Sequence, residues 1–216
     1  MIRDQETIKQ LVDLIERFVR ERLVPNEERL ASEGRLPDDI LEEMKALGLF
    51  GLTIPEEYGG LGLTMEEEIL VSIALGRTSP AFRSIMGTNN GIGSAAVVFN
   101  GTEEQKQKYL PRYASGDWIS CFCLTEPEAG SDAASLKTTA VRDGDHYIIN
   151  GTKRYITNAK VAHTFNVMAR TDPNNTGARG ISSFIVERDT PGITLGSVDK
   201  KMGQAGSMTC DVIFED

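Results

Sequence analysis

Two short stretches carry residue types that ordinary structure does not need. "LTEPEAGSD", residues 124–132, follows the apolar run "WISCFCL" and brings together a threonine, two glutamates, a glycine, a serine and an aspartate. A simple hairpin connection needs about two to five residues and favours Asn-Gly or Asp-Gly, so this loop is denser in polar groups than chain reversal requires. Thr125 offers a hydroxyl and a backbone N–H at the end of a strand. Gly130 permits close backbone approach, and Ser131 adds a small hydroxyl donor of the kind phosphate oxygens take. In the second stretch, "KRYITN" at 153–158, strand alternation puts Tyr155 and Thr157 on one face. An aromatic plate beside a hydroxyl donor suits a flat heteroaromatic ring, stacked on one side and hydrogen-bonded at its edge. A packed tyrosine and a satisfied strand threonine explain the same residues equally well.

Other constellations read more plainly. Glu126 and Glu128 are spaced as an acid/base pair, but two carboxylates in one loop are ordinarily solvated. His146 and His163 are the only histidines and fall in separate predicted strands, with no HExxH or CxxC spacing, so a metal site is not expected. Cys121 and Cys123 alternate on one strand face and read as core thiols. "GIGSAA" at 91–96 fits a loose dinucleotide fingerprint, yet it lies in a helical run instead of between a strand and a helix; close packing of small residues is the simpler account.

The elements that must position these groups change character part-way along the chain. Up to about Gly116 the apolar period is helical. Ile8, Leu11, Val12, Ile15, Phe18, Val19 and Leu23 mark one face, with Pro25 as the expected stop. A second helix is expected from Pro37 to Leu47, closed by Gly48, and a longer one from Ala81 to Phe99. Thr64 with Glu67, and Thr102 with Gln105, have capping-box spacing. After Gly116, short runs rich in β-branched and aromatic residues alternate with Gly, Asp, Asn and Pro, and "RDGD" at 142–145 reads as a tight hairpin turn. The expected fold is α+β: an all-α helical bundle over 1–116 followed by a small all-β barrel or sandwich over 117–216.

Composition narrows the function. The chain has 216 residues, enough to bury about 70% of its unfolded surface without staples. With 23 basic and 32 acidic residues the net charge is −9, which lacks the basic footprint of a nucleic-acid binder but leaves room for a small anionic cofactor. Three cysteines, a polar opening "MIRDQETIKQ" and no long apolar run lead to the expectation of a reducing, cytoplasmic location with no membrane span.

"CFCLTEPEAGSD", "YIINGTKRYITNA", "GISSFIVERDTPGITLG" and "CDVIFED", in this order and spacing, resemble the acyl-CoA dehydrogenase family. In the helical half, "LGLFGLTIPEEYGGLGLT" and "GTEEQKQKYLPRYASGDW" are similar to its N-terminal domain, so the resemblance runs from about Thr7 to Asp216. It implies FAD as cofactor, oxidation of the Cα–Cβ bond of an acyl-CoA thioester to a trans-2-enoyl-CoA, an electron-transfer flavoprotein as acceptor, and a homo-tetramer. It places Phe122, Leu124, Thr125, Tyr155, Ile156 and Thr157 along the flavin, and Ser131 at the cofactor diphosphate or the CoA. Many relatives carry tryptophan or phenylalanine at the position of Tyr155, and glycine at that of Glu128. Arg83, in "PAFRSIMGTNNGIG", is similar in place to an arginine with which glutaryl-CoA dehydrogenases hold a distal carboxylate; a helix-bridging arginine is the alternative. The family's C-terminal helical bundle, with the catalytic base, would follow Asp216, so the chain reads as a fragment, inactive alone, in which no residue is assigned as base. An oxidase or flavin monooxygenase on the same scaffold, or a non-catalytic β module, are the competing readings.

Overall fold

The computed structural model describes Ile2 to Asp216, which divide into two compact units. One holds the residues up to Trp118 together with Lys201–Ser207; the other holds Ile119–Lys200 and Met208–Asp216.

The first unit is helical. Helix α1 spans Gln5–Phe18, with Asp4 accepting from the Glu6 and Thr7 N–H groups at its start. Its buried face continues through a π-helical turn, Val19–Leu23, and a 3₁₀ turn, Val24–Asn26, into α2, Glu27–Glu33. Pro25 therefore does not stop the helical path as expected. The π turn re-phases the backbone, and proline sits near the start of the 3₁₀ turn, where its missing N–H leaves no bond unmade. Helix α3, Asp38–Ala46, begins after Pro37 and ends before the left-handed Gly48. Both capping boxes form: Thr64 with Glu67 opens α4, Met65–Leu75, and Thr102 with Gln105 opens α7, Glu103–Ser115.

The long helix expected over 81–99 is two helices, α5, Pro80–Asn90, and α6, Ala95–Asn100. "GIGS" forms the turn between them, and the reason lies in contacts with a distant segment. The Asn90 amide donates to the Leu49 carbonyl at 2.6 Å while the Asn90 carbonyl accepts from the Thr53 hydroxyl, so the last turn of α5 bonds sideways. Residues 201–207 join this unit through Ser84 and Ser207, whose hydroxyls are 2.7 Å apart.

The second unit is a seven-stranded sheet: β1 Ser120–Cys123, β2 Thr139–Asp143, β3 His146–Thr157, β4 Thr164–Arg170, β5 Ile181–Glu187, β6 Ile193–Leu195 and β7 Thr209–Phe214. The strands run in the order β1-β4-β2-β3-β7-β6, with β5 on the other edge of β4. "RDGD" is the β2–β3 hairpin turn, with Gly144 left-handed at φ 60°. "HYIING" and "KRYITN" lie on one continuous twelve-residue strand. The strand β1 lies parallel to β4, Ser120 opposite Thr164 and Cys123 opposite Val167, a pairing no hairpin pattern announces. The core contains Cys121, Ile156, Phe165, Val167, Val212 and Phe214. Among the described residues no helix is long and apolar enough to cross a membrane.

Candidate functional site

The strand β1 ends at Cys123, and the loop that follows is held from beneath. Lys153 is fully buried, at 0% exposure, and its ammonium donates to the Leu124 carbonyl at 3.2 Å, to Glu126 Oε1 at 2.8 Å and to the Met168 carbonyl at 2.7 Å. Glu126 also accepts the Lys137 and Thr138 N–H groups, at 2.5 and 2.9 Å. Burial alone would raise its carboxyl, but the bonds from Lys153, Thr138 and Lys137 outweigh that and hold it below the usual range. Burial draws the Lys153 ammonium downward against the pull of Glu126. The expectation of two solvated carboxylates therefore fails for Glu126, which is buried, and describes only the exposed Glu128. Glu126 is not an acid/base candidate, since its oxygens are occupied by the protein's own donors.

Above this anchor, the Thr125 carbonyl accepts the Arg154 N–H at 2.7 Å, and Glu126 and Ala129 exchange backbone bonds in a tight turn. The Thr125 N–H and hydroxyl have no hydrogen-bond partner among the described residues, and the residue is partly exposed. Two donors thus stand unused at the end of a rigidly held loop.

The strand β3 is irregular at the same level. Its pairing with β7 shifts register between Lys153 and Ile156, and within that shift Tyr155 adopts a left-handed backbone at φ 59°. Such a conformation costs a non-glycine residue roughly 1–2 kcal/mol. The ring is 60% exposed, and the Arg154 guanidinium lies 4.3 Å from its centroid. Asp211 and Asp199 hold Arg154 NH1 at 2.6 and 3.2 Å and raise its affinity for the proton further. Thr157 is partly exposed, and Ile156, between Tyr155 and Thr157, is buried at 2% exposure with its side chain in the core. Phe122 is partly exposed on β1, and Ser131 is exposed in the loop. The direct bond from Arg154 to Thr125 makes the two stretches neighbours. Free donors beside an exposed aromatic ring can hold a flat heteroaromatic group with acceptors along one edge.

The remaining candidates belong to the helical unit or serve the fold. Arg83, on α5 of the helical unit, is exposed with its Nε 3.4 Å from Ser72 Oγ. The His163 Nδ1 accepts the Ile119 N–H at 3.1 Å, which joins it to the start of β1. Cys121 and Cys123 are buried with sulfurs 3.9 Å apart, and burial pushes the Cys121 thiol well above its ordinary value, which keeps it unreactive. Among the described residues there is no group of three or more His, Cys, Asp or Glu side chains arranged for a metal ion.

Models of two families cover nearly the whole chain. Residues 5–117 match the acyl-CoA dehydrogenase N-terminal domain, and residues 121–216 match the acyl-CoA dehydrogenase middle domain. The chain belongs to the acyl-CoA dehydrogenase family. An acyl-CoA dehydrogenase of Bacillus subtilis (strain 168) is 39% identical over 202 residues, covering 94% of this chain and 53% of the relative. A chain of the structure reported for the electron transferring flavoprotein of Acidaminococcus fermentans superposes with a TM-score of 0.92 at 38% identity, covering 100% of this chain and 57% of that one. An acyl-CoA dehydrogenase of Bacillus anthracis, solved with FAD, gives a TM-score of 0.87 at 37% identity over 99% of this chain and 36% of its own length. The chain spans about half the length of the curated relatives it matches.

The sequence alone gives no sign of Lys153, of Arg154 or of the structural part played by Glu126. A lysine in a polar-looking strand segment carries no signal of burial. The one available clue was "TEP" itself, a glutamate directly after the threonine, which only acquires meaning once a buried cation is found beneath it.

Proposed function

We propose that this protein acts as an FAD-dependent acyl-CoA dehydrogenase. It would oxidise the Cα–Cβ bond of an acyl-CoA thioester to a trans-2-enoyl-CoA and pass the electrons to an electron-transfer flavoprotein. The observation that carries the reading is the pair of unused donors on Thr125, held between two fixed peptides next to the exposed ring of Tyr155. Family membership and the FAD found with the Bacillus anthracis relative support it, and the Acidaminococcus relative supports the electron partner.

In this reading the Leu124 and Thr125 backbone and the Thr125 hydroxyl serve the pyrimidine edge of the flavin. Tyr155 and Thr157 meet the ring, Phe122 and the Ile156 backbone flank it, and Ser131 reaches the diphosphate or the CoA. Bound flavin supplies the two-electron acceptor for the hydride leaving Cβ. Donors preorganised where negative charge develops are the main contribution these residues make, because they need no rearrangement as the reaction proceeds. We assign no catalytic base among the 216 residues. We take the working enzyme to be a cytoplasmic homo-tetramer.

Titration with FAD, followed by flavin absorbance and fluorescence, tests the cofactor part. Saturable binding that weakens when Thr125 or Tyr155 is changed to alanine is the expected result; binding of equal strength in both variants would remove these residues from the site. Anaerobic bleaching of the full-length enzyme by an acyl-CoA tests the reaction. Turnover of any acyl-CoA by residues 1–216 alone, with a dye acceptor, would overturn the view that no base lies among them.

A further inference from the structure

Lys153 and Glu126 form an ion pair with 0% and 4% side-chain exposure, 2.8 Å apart. Taking two charges out of water is costly, and a well-packed apolar pair of similar volume is often as stable or more so. Stability therefore does not explain the pair, and its geometry does. Lysine has three hydrogens and no acceptor, and all three are used, on Leu124, Glu126 and Met168. The carboxylate collects the N–H groups of Lys137 and Thr138 as well. One buried pair thus ties β1's end, both arms of the loop, β3 and β4 to a single point.

The bond to the Leu124 carbonyl matters most. A trans peptide is planar, with its C=O and the following N–H pointing in opposite directions. Holding the Leu124 oxygen inward on Lys153 therefore turns the Thr125 N–H outward, away from the pair. The next peptide is fixed likewise, because the Thr125 carbonyl accepts the Arg154 N–H at 2.7 Å. Thr125 is clamped on both sides, and its N–H has no partner among the described residues.

We infer that the buried Lys153–Glu126 pair is the positioning device for the flavin edge: it aims the Thr125 N–H outward by holding the peptide that carries it. The inference rests on the flavin reading of the site. Lys153 and Glu126 are positioning residues and touch neither cofactor nor substrate.

The test compares wild-type holoenzyme with a doubly substituted form, Lys153→Met with Glu126→Gln, which removes both charges and leaves no uncompensated ion. Two quantities are read. In the flavin-free protein, hydrogen exchange at the Arg154 amide reports whether the Thr125 carbonyl is still held; we expect it to accelerate about tenfold, while amides shared by β4 and β5 stay as they were. In the holoenzyme, the flavin midpoint potential is expected to become more negative by about 30 mV, the equivalent of a tenfold weaker hold on the reduced than on the oxidised cofactor. A merely structural pair would lower thermal stability and leave the potential unchanged, and that outcome overturns the inference. Should the doubly substituted protein not fold, Lys153→Arg replaces it. A planar fork cannot serve three divergent acceptors, so the potential should shift the same way, and a wild-type potential there also overturns the inference. If the wild type binds no FAD, the flavin reading fails; the exchange measurement then decides alone, and an unchanged Arg154 amide refutes the clamp.

Discussion

The Arg154 N–H donates to the Thr125 carbonyl at 2.7 Å, and by that one bond the loop after β1 is fastened to the irregular part of β3. Thr125 and Arg154 are 29 positions apart in the chain, yet their backbones are bonded directly. The direction of the Thr125 N–H is set by what holds the loop from inside.

Replacing Thr125 by alanine removes one donor and keeps the backbone N–H. If the protein reduces bound flavin as proposed, the barrier to that step should rise by up to roughly 2–4 kcal/mol, by analogy with other donors to developing negative charge. Rapid-mixing measurement of flavin bleaching checks this. A rate constant equal to that of the wild type would show that the hydroxyl faces something other than the reacting system.

Tyr155 sits at φ 59°, where glycine is at ease and tyrosine is not. Tyr155→Gly should raise the stability of the flavin-free protein by about 1 kcal/mol while weakening its hold on FAD. Denaturant unfolding and flavin titration measure the two effects separately. Lower stability in the glycine variant would mean that the Arg154–Tyr155 contact outweighs the backbone strain.

Glu67 provides a pH-dependent contribution. Its carboxylate accepts the Arg3 N–H at 2.8 Å and the Thr64 N–H at 2.8 Å, and these two bonds, in that order of effect, lower it from 4.5 to about 2. A group depressed in the folded state stabilises fully above its unfolded value and loses that contribution as pH falls through the folded value. The stability difference between wild type and Glu67→Gln should therefore be constant above about pH 5 and shrink steadily between the two values in acid. Parallel unfolding series at several pH values test it; a difference that persists unchanged to pH 2 would contradict the assignment.

Arg83 is exposed and makes a 3.4 Å contact to Ser72, so Arg83→Ala should change stability by no more than about 0.5 kcal/mol. If it holds a distal carboxylate, the Arg83→Ala enzyme should lose any preference for dicarboxylyl-CoA over the monocarboxylyl thioester of equal length. A wild-type enzyme that already prefers plain acyl-CoA takes Arg83 out of the substrate site.

Local rules made much of this protein legible in its sequence. The two capping boxes, the left-handed Gly48 and the "RDGD" hairpin depend on residues within a few positions of one another, and each forms as its spacing implies. The α+β division also follows from a change of apolar period, which is a local quantity. The motif residues at 122–131 and 155–157 stand out because a strand or a turn does not need their chemistry. What the tertiary structure alone decided depends on contacts between distant segments. The parallel pairing of β1 with β4 and the return of residues 201–207 to the helical unit leave no local trace. Neither does the end of α5, which bonds sideways to Leu49 and Thr53. The burial of Lys153 shows the reason most clearly. Strict alternation puts residue 153 on the same face as Tyr155 and Thr157, where a lysine belongs in water. The register shift between 153 and 156 adds one residue to that count, so Lys153 turns inward with Ile156 and meets Glu126, which lies 27 positions earlier in the chain. A sequence specifies which groups are available; only the bulge, a product of how β3 fits against β7, decides which of them face each other.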